Sequence, residues 1–247
     1  MIRTKLGLLG LCAVVFGVMA MSAGSAQGAF SWLVLDTNGT NLENLFATLE
    51  GKNDSTHYTL STHALSTTLN VTCTNFELIG VKMAAGGTLE TGGKVKFTGC
   101  EAYKTAPLTE AYDCMVHSPG QAKGTVVTNA GKGGLVLHTI KAGETEVLTK
   151  IESAAEGAEA GVFAKLEFEL CAFPTSKVSG VLYLKDCVPG GATTHAVKHL
   201  VEQGPLTSLI YGSDTEEHLL TSLVGSGFVK LSGVGHVGLS WAAMDTP

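Results

Sequence analysis

The chain has 247 residues, of which 15% are charged and 6% aromatic, and its formal net charge is −6 at pH 7. Its only arginine is Arg3, and its lysines are scattered along the chain. Nucleic-acid binding depends on clustered basic side chains and, for reading bases, on bidentate arginine. The composition therefore excludes nucleic acid as a partner, and the lack of a polybasic cluster disfavours an anionic membrane surface.

Residues 1–28 have the pattern of a secretory signal peptide. A short basic start with Arg3 and Lys5 precedes an uncharged apolar run at 6–21 and a small-residue stretch at 22–28. Cleavage after Gly28 or after Ala26 fits the small-residue rule for signal peptidase. Sixteen apolar residues are fewer than the ~20 that span a bilayer, so we predict no stable membrane span after cleavage. The segment predicts an extracytoplasmic or secreted protein.

Cleavage would leave residues 29–247, which we predict to form a single β-rich domain. The 16 basic residues include Arg3 and Lys5, so this part would carry 14 lysines against 22 acidic residues. Period-two alternation dominates; in the run 162–170, apolar residues occupy every second position and Lys165, Glu167 and Glu169 lie between them. Such alternation is typical of strands with one wet face. The runs that predict strands, in chain order, are 32–36, 58–62, 67–73, 94–98, 125–128, 135–141, 146–151, 162–170, 178–185, 206–211, 228–231 and 236–241.

Glycine turn signals separate these runs at fairly even spacing, for example at 85–87, 132–134 and 189–191. Many short strands with glycine turns indicate an all-β antiparallel sandwich, with a jelly roll or a barrel as alternatives. Two segments, 194–203 and 213–224, have helix-like patterns but can equally be drawn as strands, so we expect at most one or two short helices.

Five cysteines remain after residue 28, namely Cys73, Cys100, Cys114, Cys171 and Cys187. An odd number in an oxidising compartment permits two bridges and one free thiol, and fifteen arrangements are open. Short loops favour the pairs Cys100–Cys114 and Cys171–Cys187, with Cys73 buried and free. No Cys-x-x-Cys pair occurs, which disfavours zinc.

The catalytic and metal-binding signals are weak. The chain after residue 28 has no Gly-x-Ser-x-Gly elbow, and the adjacent His117 and Ser118 would point to opposite faces of a strand. His195 and His199 are four residues apart and would share a face, but the glutamate of a zinc-peptidase motif is missing. These two histidines are the weak metal candidates. We predict no catalytic residue and no cofactor.

Three segments, 96–100, 182–187 and 199–207, resemble a set of uncharacterised exported bacterial proteins rich in β structure. The resemblance covers most of the chain after the signal segment. It implies a small exported β protein with paired cysteines, and it implies no catalytic or binding residues.

The sequence thus predicts an exported binding or structural β module, with an extracellular glycan, the cell wall or a protein as the expected partner. The alternative is a secreted hydrolase with a dispersed or metal-assisted site that would include His195 and His199.

Overall fold

A computed structural model of the chain describes residues 29–36, 38, 47–53, 57–64, 67–84, 88–103, 111–141, 144–171, 173, 175–186, 194–199, 209–212 and 219–246. These residues form twenty β-strands, numbered below in chain order, and one 3-10 turn at Gly157–Glu159. The predicted all-β antiparallel class is therefore confirmed. The predicted signal peptide at 1–28 lies outside the described residues.

Eight strands form a closed antiparallel barrel in the order β13-β14-β17-β18-β3-β4-β8-β9. Their bounds are β3 (Tyr58–Ala64), β4 (Thr67–Cys73), β8 (Glu101–Tyr103), β9 (Ala111–His117), β13 (Val162–Glu169), β14 (Ser176–Ser179), β17 (Leu209–Gly212) and β18 (Leu219–Val224). Closure pairs the backbone groups of every strand on both sides, which removes exposed strand edges.

A second set of strands forms a curled antiparallel sheet in the order β7-β11-β12-β15-β16-β19-β2-β6, and β6 also pairs with the start of β7. The bounds are β2 (Ala47–Asn53), β6 (Lys82–Ala84), β7 (Thr88–Thr98), β11 (Gly131–Lys141), β12 (Glu144–Ser153), β15 (Val181–Asp186), β16 (Thr194–His199) and β19 (Ser226–Ser232). We refer to this set as the curled sheet.

Four further strands extend this arrangement. The second half of β7 pairs with β5 (Asn75–Ile79) on one side and with β10 (Thr125–Val127) on the other. A separate ribbon pairs β1 (Ala29–Leu35) with β20 (Ser240–Thr246), so the two ends of the described chain lie side by side.

Two apolar cores follow from this layout. The first fills the barrel around Leu69, Val116 and Leu166, and residues of the curled sheet such as Ile151 and Leu182 pack against it. The second is centred on Met83, Leu231 and Trp241 and is covered by the ribbon. The period-two alternation at 162–170 explains how β13 contributes to the first core. Leu166 is buried, while its neighbours Lys165 and Glu167 are only half-buried.

The disulfides differ from the predicted pairs. The structure links Cys73 to Cys100 and Cys114 to Cys171, so the prediction of a Cys100–Cys114 bridge and a free Cys73 was wrong. Strand register explains the pairing. Thr72 of β4 lies opposite Glu101 of β8, which brings Cys73 close to Cys100.

Register also explains the second bridge: Met115 of β9 lies opposite Glu169 of β13, and Cys114 and Cys171 come one and two residues beyond this last pair. Cys171 is therefore not available for the predicted bridge to Cys187, and Cys187 itself lies outside the described residues.

The described parts of the two segments with helix-like patterns are also strands. Leu219–Val224 is β18 and pairs with β17 and β3, and Thr194–His199 is β16 and pairs with β15 and β19. The remaining parts of both predicted segments lie outside the described residues. Neighbouring strands supply hydrogen bonds that outweigh a weak local helical pattern. Among the described residues, no helix reaches the length and apolarity needed to cross a membrane.

Candidate functional site

An apolar cavity of about 290 Å³ lies where the barrel, the curled sheet and the ribbon meet. The barrel contributes side chains of β3, β4, β13, β14 and β18 to its wall, and the curled sheet contributes side chains of β2, β7, β12, β15 and β19. Prominent lining residues are Leu49, Leu60, Val71, Leu89, Phe97, Ile151, Phe163, Leu166, Val178, Leu182 and Val229. The cavity therefore extends from one apolar core to the other.

Aromatic rings packed on glycines form part of the wall. The Phe76 ring of β5 lies over the backbone of two strands, because a Cβ atom added to Gly51 or Gly227 would come within 2.6 Å of that ring. The centroids of the Tyr58 and Phe76 rings are 5.1 Å apart in an edge-to-face contact. The glycines thus let a large ring approach the sheet closely and form part of the cavity wall.

Tyr58 connects the barrel to the curled sheet. Its hydroxyl group donates a hydrogen bond of 2.8 Å to the carbonyl oxygen of Ser226 on β19. The side chain is 8% exposed, and its hydroxyl also lies 3.4 Å from the amide oxygen of Asn53 at the end of β2. A buried tyrosine with a satisfied hydroxyl fixes the two walls relative to each other.

Two of the polar side chains in the wall are bound to the backbone. The Asn129 side-chain amide donates to the carbonyl oxygen of Val162 at 2.9 Å, and the Thr128 hydroxyl oxygen accepts from the backbone N–H of Val95 at 2.9 Å. These bonds satisfy the groups without a ligand, which keeps this part of the wall apolar in character.

Two tryptophans line the cavity on the side of the ribbon. Trp32 of β1 and Trp241 of β20 make an edge-to-face contact with ring centroids 5.6 Å apart. The Trp32 indole Nε1 is buried, and no described residue offers it a hydrogen-bond acceptor. The described part of the protein therefore does not satisfy this buried donor of Trp32.

A charged cluster lies on β9 and β13, on the barrel. His117 Nε2 is 3.2 Å from Glu169 Oε1, and Lys123 Nζ donates to Glu169 at 2.6 Å. The Lys123 hydrogen bond and charge, with a smaller effect of His117, lower the pKa of the Glu169 carboxyl. These residues do not line the cavity, and the cluster fits a surface ion-pair network.

The adjacent serine and histidine do not form a catalytic pair. The Ser118 hydroxyl donates to backbone carbonyls, at 3.0 Å to that of Lys165 and at 3.1 Å to that of Val127, and accepts from the Val127 N–H. The His117 Nδ1 atom bonds the Ser118 carbonyl oxygen at 3.0 Å. Both side chains are buried and serve to join β9 to β10 and β13, so this dipeptide offers no activated nucleophile.

The two candidate metal histidines both lie on β16. His195 is opposite Val229 of β19, and His199 is opposite Leu184 of β15. Their side chains are outside the described part of the structure. Among the described residues, no group of three His, Cys, Asp or Glu side chains could hold a metal ion. The metal site, and the hydrolase alternative that depends on it, stay predictions.

The cavity itself was not anticipated from the sequence. Its wall is assembled from strands that are far apart in the chain. Each of the two tryptophans that line it has the sequence pattern of an ordinary core residue. Nothing in the sequence links Gly51 and Gly227 to the Phe76 ring that packs on them, because the three residues lie far apart along the chain. No protein-family model matches the chain, no curated protein matches it, and no solved structure matches it.

Proposed function

We propose that the protein is an exported binding module whose interior cavity takes a small apolar molecule. The observation that carries the proposal is the apolar cavity of about 290 Å³ between the barrel and the curled sheet. Ligand sites are concave and mostly apolar, with few polar groups.

The size of the cavity argues against an incidental packing gap. Interiors of proteins hold few voids larger than a water molecule. A ligand that covers the apolar lining of the cavity would remove that surface from water, which is favourable.

The same volume bounds the ligand. At about 30 Å³ for each group the size of a water molecule or a methylene, the cavity has room for about ten such groups. A glycan fits poorly there, because its hydroxyl groups would lose water without gaining partners. The preferred ligand is therefore an apolar molecule of about ten heavy atoms rather than the glycan expected from the sequence.

Export is part of the proposal. The two disulfides are consistent with an extracytoplasmic compartment, because such bridges form and persist in oxidising environments. The signal pattern at residues 1–28 supports the same location. An apolar molecule outside the cytoplasm has low solubility in water, and a binding protein would carry or store it.

The proposal is tested by titrating the folded protein with 1-aminonaphthalene, an apolar dye of about eleven heavy atoms whose emission shifts to shorter wavelength in apolar surroundings. The chain has two tryptophans, and both line the cavity, so energy transfer from tryptophan to dye reports binding at that place. We expect saturable binding of one dye per chain, abolished when the protein is denatured. Dye binding that does not saturate, or that occurs without tryptophan energy transfer, would contradict the proposal.

A further inference from the structure

The length of the cavity leads to a more specific inference, which rests on the proposed function. A sphere of 290 Å³ would be only about 8 Å across. Leu89, near the start of β7, and Phe97, near its end, both line the cavity. Leu89 packs against the second core, under the ribbon, and Phe97 packs against the first core, in the barrel. Strand β7 therefore runs along the cavity from one core to the other.

The register of β7 converts these two positions into a distance. Leu89 and Gly93 lie opposite Gly133 and Gly131 of β11, so this bulged part of β7 advances by two strand residues. From Gly93 to Phe97 the strand advances by four more, and its pairing with β5 there is regular. At about 3.3 Å per residue the whole path is about 20 Å long, and a right-angled bend at Gly93 would still leave its ends about 15 Å apart. The cavity is therefore longer than a compact space of the same volume.

The part of the wall between the two ends contains two facing glycines. Gly93 and Gly131 lie opposite each other, and both line the cavity. Neither has a side chain that could divide the space. This side of the wall therefore leaves room between the first and the second core.

We propose that the ligand is an extended, unbranched hydrocarbon chain that lies along β7, with one end in the second core and the other in the first. About ten carbons account for the volume of the cavity. A compact ring or cage with the same number of atoms would fill one end and forfeit dispersion contacts with the rest of the wall. Because the wall is almost wholly apolar, shape rather than hydrogen bonding selects the ligand.

The test shortens the cavity at either end and compares a long probe with a short one. Leu89→Phe fills part of the end at the second core, and Ala164→Leu fills part of the end at the first core. Each substitution adds three carbons to a lining side chain. Decan-1-ol needs the whole passage, whereas hexan-1-ol needs only part of it. Displacement of 1-aminonaphthalene gives the affinities of both alcohols for the wild-type protein and for the two variants.

We expect each variant to weaken the binding of decan-1-ol about thirtyfold, because three methylene groups lose their place in the cavity. The affinity of hexan-1-ol should change by less than about threefold in either variant, because this probe can occupy the unaltered end. In the wild-type protein, transferred nuclear Overhauser effects should be absent between the two ends of bound decan-1-ol, since the ends of an extended chain are far apart. This last measurement decides the question even if a variant does not fold.

Three results would overturn the inference and leave the apolar site intact. They are a decan-1-ol affinity that falls in only one variant, a hexan-1-ol affinity that falls as far as that of decan-1-ol, and Overhauser effects between the two ends of bound decan-1-ol. Failure of the dye and of decan-1-ol to bind the wild-type protein would overturn the proposed function itself.

Discussion

Replacing Ala164 by leucine should stabilise the protein and weaken its binding of an apolar dye at the same time. Ala164 lies on β13, is 6% exposed and lines the cavity. Leucine adds three carbons, which occupy about 90 Å³ of the 290 Å³ available. At about 0.8 kcal/mol for each apolar carbon buried against the cavity wall, the free energy of unfolding should rise by about 2 kcal/mol.

The same three carbons exclude an equal part of a bound molecule. At about 0.8 kcal/mol per buried methylene, the dye should lose about 2 kcal/mol, which is a roughly thirtyfold rise in its Kd. Denaturant unfolding and dye titration measure the two effects. Ala122→Leu is the matched control, because Ala122 is exposed in a turn and should change neither quantity.

The opposite pattern would refute the reasoning. If Ala164→Leu lowers the free energy of unfolding by about 1–3 kcal/mol, as in an overpacked core, and leaves the dye affinity unchanged, there is no free space beside Ala164.

Three further predictions concern the frame of the site. Replacing Cys73 and Cys100 by alanine should lower the free energy of unfolding by about 3.5 kcal/mol, given their separation of 27 residues, and peptide mapping without reductant should find these two cysteines joined. Gly227→Ala should cost about 1–3 kcal/mol in thermal or denaturant unfolding, because its Cβ would lie 2.6 Å from an aromatic ring, whereas Gly131→Ala, with its nearest side-chain or backbone atom at 3.5 Å, should cost far less. A neighbouring lysine lowers the pKa of the Glu169 carboxyl, so the ion pair stabilises the fold above the carboxyl's unfolded-state pKa and is lost as the pH falls through the lowered value. Glu169→Gln should therefore lower Tm at neutral pH and match the wild-type Tm in acid; an equal Tm difference at every pH would contradict this.

The strand periodicity of the sequence is strong enough to predict the fold class and several elements. The run 67–73 coincides with β4, and the run 162–170 overlaps β13 almost fully. In both, apolar and polar residues alternate on the two faces of one strand, which is information contained within a single segment.

Predictions that depend on pairing between segments are less secure. Short loop length favoured Cys100–Cys114, but the register of β4 with β8 places Cys73 beside Cys100 instead. The run 236–241 was predicted as a strand, yet a turn extends to Gly238 and β20 begins at Ser240. Gly233, Gly235 and Gly238 have φ values of +97°, +84° and +81°, a backbone conformation that favours glycine and ends the strand pattern.

The candidate site could not be predicted from the sequence. The pairing of β1 with β20 places Trp32 beside Trp241 across most of the chain, and no local pattern indicates this. The cavity exists because barrel, sheet and ribbon are brought together by long-range strand pairing, which a single sequence does not specify.

Whether the cavity binds an apolar molecule is tested most directly by soaking crystals of the protein with bromodecane, an apolar chain of about the size that the cavity admits. The bromine atom gives an anomalous signal that locates the molecule without ambiguity. We expect one strong anomalous peak inside the space bounded by Trp32, Phe163 and Leu182. A peak only on the outer surface, or no peak in crystals that diffract well, would contradict the claim that this cavity is a binding site.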